Sequence, residues 1–143
     1  MRENLSLKAF VVLMKASKTV EEQIKKDIKS HGISTTEFSI LEALYHKGKL
    51  TVNQICDAVL IKSGSMTYVV NKLYERGLLD RKPDHKDRRV IHVYLTSKGE
   101  KLMDEIFPKH QEVIEQIFDV INTKEKESMI RILKQVGLQQ KEQ

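Results

Sequence analysis

Ser65, Thr67, Tyr68, Asn71 and Lys72 carry hydroxyl, amide and ammonium groups at spacings that suit one side of a helix. Small, polar and basic side chains of this kind fit the base edges and phosphates of a duplex. The other side of the same helix would hold Met66, Val69, Val70 and Leu73. Gly64 near its start would let the backbone come close to a phosphate, and N-terminal amides attract anions. Downstream, Arg88 and Arg89 sit at the tip of a charged hairpin, where a guanidinium can enter a narrow minor groove. Asp87 beside them would hold one guanidinium in place. A solvated surface explains each of these features singly. Their order across residues 62–95 is more telling: helix, stop at Gly77, strand, charged tip, strand. That is the layout of a recognition helix with a basic wing.

A second constellation suits a small molecule. Glu42 shares a helical stripe with Phe38 and Tyr45, and His110 shares one with Leu102, Ile106, Val113 and Ile117. Phe10 lies on the apolar side of the first helix. A carboxylate and an imidazole turned inward near aromatic rings would receive a phenol or quinone, the rings stacking and the polar pair binding hydroxyls. A satisfied Glu–His pair inside a core gives the same pattern. Cys56 follows the stripe Val52, Ile55 and Val59 and reads as a small core residue rather than an accessible thiolate. His31, His46, His85, His92 and His110 form no short ligand motif with one another or with the cysteine, so neither a metal nor another cofactor is expected. No glycine-rich phosphate loop or nucleophile elbow occurs, so the chain does not read as an enzyme.

Apolar stripes and caps supply the elements that must position these groups. A first helix spans about 5–31, with Phe10, Leu13, Met14, Val20, Ile24 and Ile28 on its stripe and Gly32 ending it. Ser34 with Glu37, and Thr51 with Gln54, are capping-box pairs that open a second and a third helix. Leu50 between them reads as an isolated extended residue. The fourth helix starts near Ser63 and ends at Gly77. Strands follow at 78–82 and 90–95, with Pro83 in the turn that joins them. The fifth helix follows Ser97 and runs to about Ile121, weakened or bent at Pro108. A sixth starts near Asn122 and uses Met129, Ile130, Leu133 and Val136. The apolar sides of the terminal helices exceed what the small centre can cover, so they are expected to pack on a second copy. A two-fold pair would set two recognition helices about 34 Å apart, one turn of a pseudo-palindromic duplex.

The chain has 143 residues, 40% hydrophobic and 31% charged, enough for one domain with helical extensions. Its net charge of +5 is uneven: residues 62–92 hold eight Lys/Arg against four Asp/Glu, and residues 1–32 hold seven against four. Such a patch favours phosphates in a salt-dependent way. No apolar run reaches the roughly 18 residues of a membrane span. A polar start, no visible secretory leader and a single cysteine fit a cytoplasmic protein.

Three stretches carry a family resemblance: VNKLYERGLL at 70–79, DRR at 87–89 and LTSKG at 95–99. In order and spacing they resemble the multiple antibiotic resistance regulator (MarR) family of bacterial winged-helix repressors, over nearly the whole chain. FVVL at 10–13 and FPKHQ at 107–111 look like its quinone-responsive MhqR-type branch. The resemblance implies a mainly α fold with a small β-wing, a single domain over 1–143. Residues 34–95 would be the winged helix-turn-helix, and 1–33 with 96–143 the dimerisation part. It implies a homodimer that binds operator DNA, usually represses, and lets go when a small aromatic or phenolic effector binds. DNA-contacting roles carry over to Lys62, Ser63, Ser65, Thr67, Tyr68, Asn71, Lys72, Arg88 and Arg89. In this family the ligand cavity often lies between the dimer helices and the winged domain, which marks Phe10, Phe38, Glu42 and His110 as effector-binding. The thiol-sensing branch keeps its cysteine in the first helix, where this chain has none. Two other functions fit the same residues: an architectural DNA binder without effector, and a winged-helix protein-interaction module.

Overall fold

The computed structural model describes residues 4–59 and 65–141. In chain order they form α1 (Leu5–Ser30), α2 (Thr35–Lys47), β1 (Leu50–Thr51), α3 (Val52–Ala58), α4 (Met66–Glu75), β2 (Leu79–Pro83), β3 (Ile91–Leu95), α5 (Ser97–Phe118) and α6 (Thr123–Lys141). This is the expected mainly helical chain with a small antiparallel sheet. The chain divides into two compact units, Met1–His110 and Gln111–Gln143, and α5 crosses the division.

Helix starts follow local chemistry. Ser34 and Glu37 form a reciprocal capping box on α2, and Thr51 and Gln54 form another on α3, so each start satisfies two otherwise orphaned amides. Asn122 and Glu125 do the same before α6, at 2.9 Å each way. The first unit gathers its core around α2, where Phe38, Ile40, Leu41 and Leu44 are buried. They share one apolar cluster with Ile28 of α1, Ile55 of α3, Val70 and Leu73 of α4, Leu79 and Val93 of the sheet, and Met103 and Ile106 of α5.

Five boundaries differ from the sequence reading. Leu50 is not isolated: with Thr51 it makes a two-residue strand paired to Val93 and His92, so the sheet has three strands in the order β1-β3-β2. Pro83 belongs to β2, opposite Ile91, and is tolerated because β2 is an edge strand. α4 is capped by Ser65, not Ser63. α5 is capped by Thr96 rather than Ser97: Thr96 Oγ1 accepts from the Gly99 amide at 3.1 Å and donates to the Gly77 carbonyl at 2.6 Å. α5 also ends at Phe118, three residues early, after running through Pro108, which has no amide to give to the preceding turn.

Two glycines explain the spacing of the family motifs. Gly77, at φ 74°, ends α4 in the left-handed region, its amide meeting the Tyr74 carbonyl while the Leu78 amide reaches Leu73. Gly99 is required by contact instead, because a Cβ there would overlap the Leu78 carbonyl oxygen. The end of α4 and the start of α5 are therefore interlocked through Gly77, Leu78, Thr96 and Gly99.

Candidate nucleic-acid interface and inner polar site

α4 separates its two sides cleanly. Met66, Val70 and Leu73 are buried and Val69 is half-buried, while Thr67, Tyr68 and Lys72 are exposed. The Lys72 ammonium lies 5.4 Å from the centre of the Tyr68 ring, which presents an aromatic plane and a cation together. Asn71 is half-buried, and its Oδ1 accepts from Arg81 Nη1 at 2.8 Å. The Arg81 guanidinium lies over the Tyr74 ring at 4.5 Å. Sequence reasoning missed Arg81, and no local spacing marks it. Lys62, Ser63 and Gly64 lie outside the described residues.

The wing tip is built on Asp84. Its carboxylate accepts from the amides of Lys86 at 2.9 Å and Asp87 at 3.0 Å, and its other oxygen lies 2.8 Å from His92 Nε2. The His92 contact first, then these two amides, push the Asp84 carboxyl down to about 2. Asp87 in turn accepts from the Arg89 amide and Nε, both at 3.1 Å, and from Nη2 at 3.3 Å. The Arg89 side chain pulls the Asp87 carboxyl below its ordinary range. Arg89 nonetheless stays 92% exposed, so Asp87 orients it without covering it. Arg88 is exposed beside it and has no ion pair or side-chain hydrogen bond among the described residues.

Inside the first unit lies a different kind of polar site. His110 of α5 is buried, its ring centre 4.5 Å from Phe38 and 6.1 Å from Phe107. Its Nε2 stands 3.6 Å from Glu42 Oε2, too long for a hydrogen bond but close for a charge. Burial pushes the imidazole toward its neutral form, against the pull of Glu42 and Asp27. Asp27 and His31, one turn apart on α1, approach at 3.5 Å. Asp27 Oδ2, His31 Nε2 and His110 Nδ1 are buried without a hydrogen-bond partner. Tyr45, His46 and Phe107 pack edge to face or tilted beside them, and the Tyr45 hydroxyl donates to Asp104.

Of the four residues expected at a small-molecule site, Phe38, Glu42 and His110 come together. Phe10 does not join them within one chain: it is 59% exposed, and seventeen residues of helix, about 25 Å, separate it from Asp27. Asp27 and His31 were missed, although Ile24, Ile28 and His31 continue the apolar stripe at i, i+4 and i+7. Cys56 is half-buried against the core cluster. Among the described residues no group of three His, Cys, Asp or Glu is arranged to hold a metal, and no helix is long and apolar enough to cross a membrane.

Comparison with known proteins adds a lineage to this geometry. The sequence pattern of the MarR family matches residues 31–90. Over 96% of the chain and 94% of the relative, the sequence is 44% identical to the HTH-type transcriptional regulator MhqR of Bacillus subtilis (strain 168). BpsR of Bordetella bronchiseptica, described in terms of regulation of its DNA binding by 6-hydroxynicotinic acid, has a similar structure. Its TM-score is 0.81 at 23% identity, over 96% of this chain and 98% of that one. A mutant MarR from E. coli in complex with operator DNA gives 0.79 at 16%, over 93% and 96%.

Proposed function

This chain belongs to the MarR family of DNA-binding transcriptional regulators, and from that premise we propose that it is a homodimeric repressor released from a pseudo-palindromic operator by a small phenol- or quinone-like effector. The observation that carries the reading is the exposed polar side of α4 beside an arginine-tipped wing within one unit. Tyr68, Thr67 and Lys72 enter the major groove with Asn71, Ser65 caps the helix beside a phosphate, and Arg88 and Arg89 follow the minor groove. Lys62 and Ser63 extend the contact. Base-reading contacts contribute about 1–3 kcal/mol each. The protein works in the cytoplasm, where its operator is.

The second copy supplies cover for the first half of α1, where Leu5, Leu7, Phe10, Val11, Val12, Leu13 and Met14 are all exposed. Residues 1–33 and 96–143 make that pairing and 34–95 read DNA. Similarity to a protein solved on operator DNA supports the DNA-reading role, and similarity to one regulated by a hydroxylated aromatic acid supports an effector.

The effector binds among Phe38, Glu42 and His110, with Phe10 added from the partner copy. Its rings stack on Phe38, and hydroxyls satisfy the unpartnered His110 Nδ1 and Asp27 Oδ2. Two carboxylates here, Asp27 and Glu42, disfavour an anionic ligand and favour an uncharged diphenol. α2 carries the signal. It holds Phe38 and Glu42, packs Leu41 and Leu44 in the core with Val70 and Leu73 of α4, and ties its Glu37 to Arg76 at 2.9 Å. A ligand that shifts α2 shifts α4 with it.

The test is selection of bound duplexes from a random pool, followed by titration of a hydroquinone onto the recovered complex. Two-fold related half-sites and release from wild type but not from His110→Ala support the reading. Equal release from both removes His110 from the site. Equal affinity for selected and random duplex at one salt concentration marks an architectural binder instead.

A further inference from the structure

Asn71 stands beside Tyr68 and Lys72 on the outward side of α4, yet its amide is not free to turn. Its Oδ1 is held by Arg81 Nη1 at 2.8 Å. A guanidinium only donates, so the amide has a single orientation, oxygen toward Arg81 and Nδ2 away. Arg81 is itself fixed from two directions. It sits in β2 opposite Val93, and its guanidinium lies on the Tyr74 ring at 4.5 Å. Among the described residues no carboxylate forms an ion pair with it, so its charge is not neutralised locally.

We propose that Arg81 is a positioning residue that turns Asn71 into a donor-only reader, selective for the guanine edge of a G·C pair in the major groove. This rests on the DNA-reading role given to α4. A free asparagine prefers adenine, because its oxygen and its amino group match adenine N6 and N7 together. Here the oxygen already carries a cation, and an adenine N6 amino group would face guanidinium N–H groups, donor against donor. Guanine presents N7 and O6, both acceptors, to the Asn71 amino group. The Tyr74 ring keeps the guanidinium plane in place, so the preference is built in before DNA arrives.

The experiment is duplex selection from a random pool by the full chain as wild type, Arg81→Met, Arg81→Lys and Asn71→Ala, with a thermal unfolding scan of each. Arg81 is exposed, so its variants are expected to unfold near the wild-type midpoint, and Asn71→Ala, at a half-buried position, slightly below it. Wild type is expected to select guanine at one position per half-site, and Asn71→Ala to lose discrimination at that position alone. Arg81→Met frees the amide and exchanges guanine for adenine there, the guanine-over-adenine ratio falling about tenfold. Arg81→Lys, which can still donate but cannot lie flat on the ring, falls between. An Arg81→Met protein that binds every duplex more weakly but keeps guanine at the Asn71 position overturns the proposal, as does an Asn71→Ala protein with no altered position. A wild type that recovers no preferred sequence removes the DNA reading itself.

Discussion

The outer reading surface and the inner polar site are both rich in charge, but they treat it in opposite ways. On the outside several polar groups are oriented by a neighbour within ten residues or so: Ser65 by the Tyr68 amide, Asp84 by two amides and His92, Arg89 by Asp87, Asn71 by Arg81, although His92 Nδ1 is buried without a partner. These contacts are solvated, so they organise the surface at little cost and little gain in stability. On the inside, Asp27, His31, Glu42 and His110 come from three different helices, and three of their buried atoms lack a partner. Unsatisfied buried groups are costly. Under the proposed function, the surface for a large rigid ligand is mostly ordered before binding, whereas the proposed effector site keeps hydrogen bonds for the ligand to complete.

Removing one ring from each region gives the largest contrast. Phe38→Ala, at 2% exposure, is expected to lose about 3–5 kcal/mol of stability. Tyr68→Ala, at 61%, should stay within about 0.5 kcal/mol while DNA affinity falls. Denaturant unfolding and fluorescence anisotropy on the selected duplex measure both. Similar stability losses would erase the distinction between the regions.

Next comes charge removal. Arg88→Ala with Arg89→Ala should lower operator affinity by about one hundredfold and flatten its salt dependence. Glu42→Gln should leave both nearly intact and blunt only the response to a hydroquinone.

A smaller effect is expected from pH. Because burial sets the folded His110 below the imidazole's unfolded value of about 6.5, the folded chain keeps this contribution above that value. It loses stability as pH falls through and below it. Melting temperatures at pH 7.5 and 5.5 should therefore differ less in His110→Gln than in wild type. Asp84 is shifted in the same direction but from a lower starting range: its contribution is present above the ordinary carboxylate range and lost only as pH falls toward about 2. The Asp84 carboxyl should thus stay ionised over the interval in which the inner site weakens, as its carboxyl carbon resonance would report.

What could be read from the chain follows the same division. Capping boxes at Ser34 and Thr51, the two-sided α4 and the arginine tip depend on neighbours in sequence, and all were legible. The meeting of Glu42 with His110 was legible because each lies on an otherwise apolar stripe. The strand at Leu50 was not, since two residues become a strand only through β3, some forty positions on. Thr96 and Ser97 offer the same hydroxyl, and the Gly77 carbonyl decides between them. Arg81 was passed over because its partners, Asn71 and Tyr74, belong to another element. Asp27 and His31 were passed over because Glu42 and His110, which make them part of a polar site, lie on other helices.

The seat of Gly99 against Leu78 carries a mechanical corollary. With backbone resting on backbone and Thr96 bolted to Gly77, only the Leu95 side chain beside that joint can absorb motion. A twist entering along the first turns of α5 should reach the root of the wing with little loss, like torque through a keyed shaft. Widening that residue to alanine would strip the key.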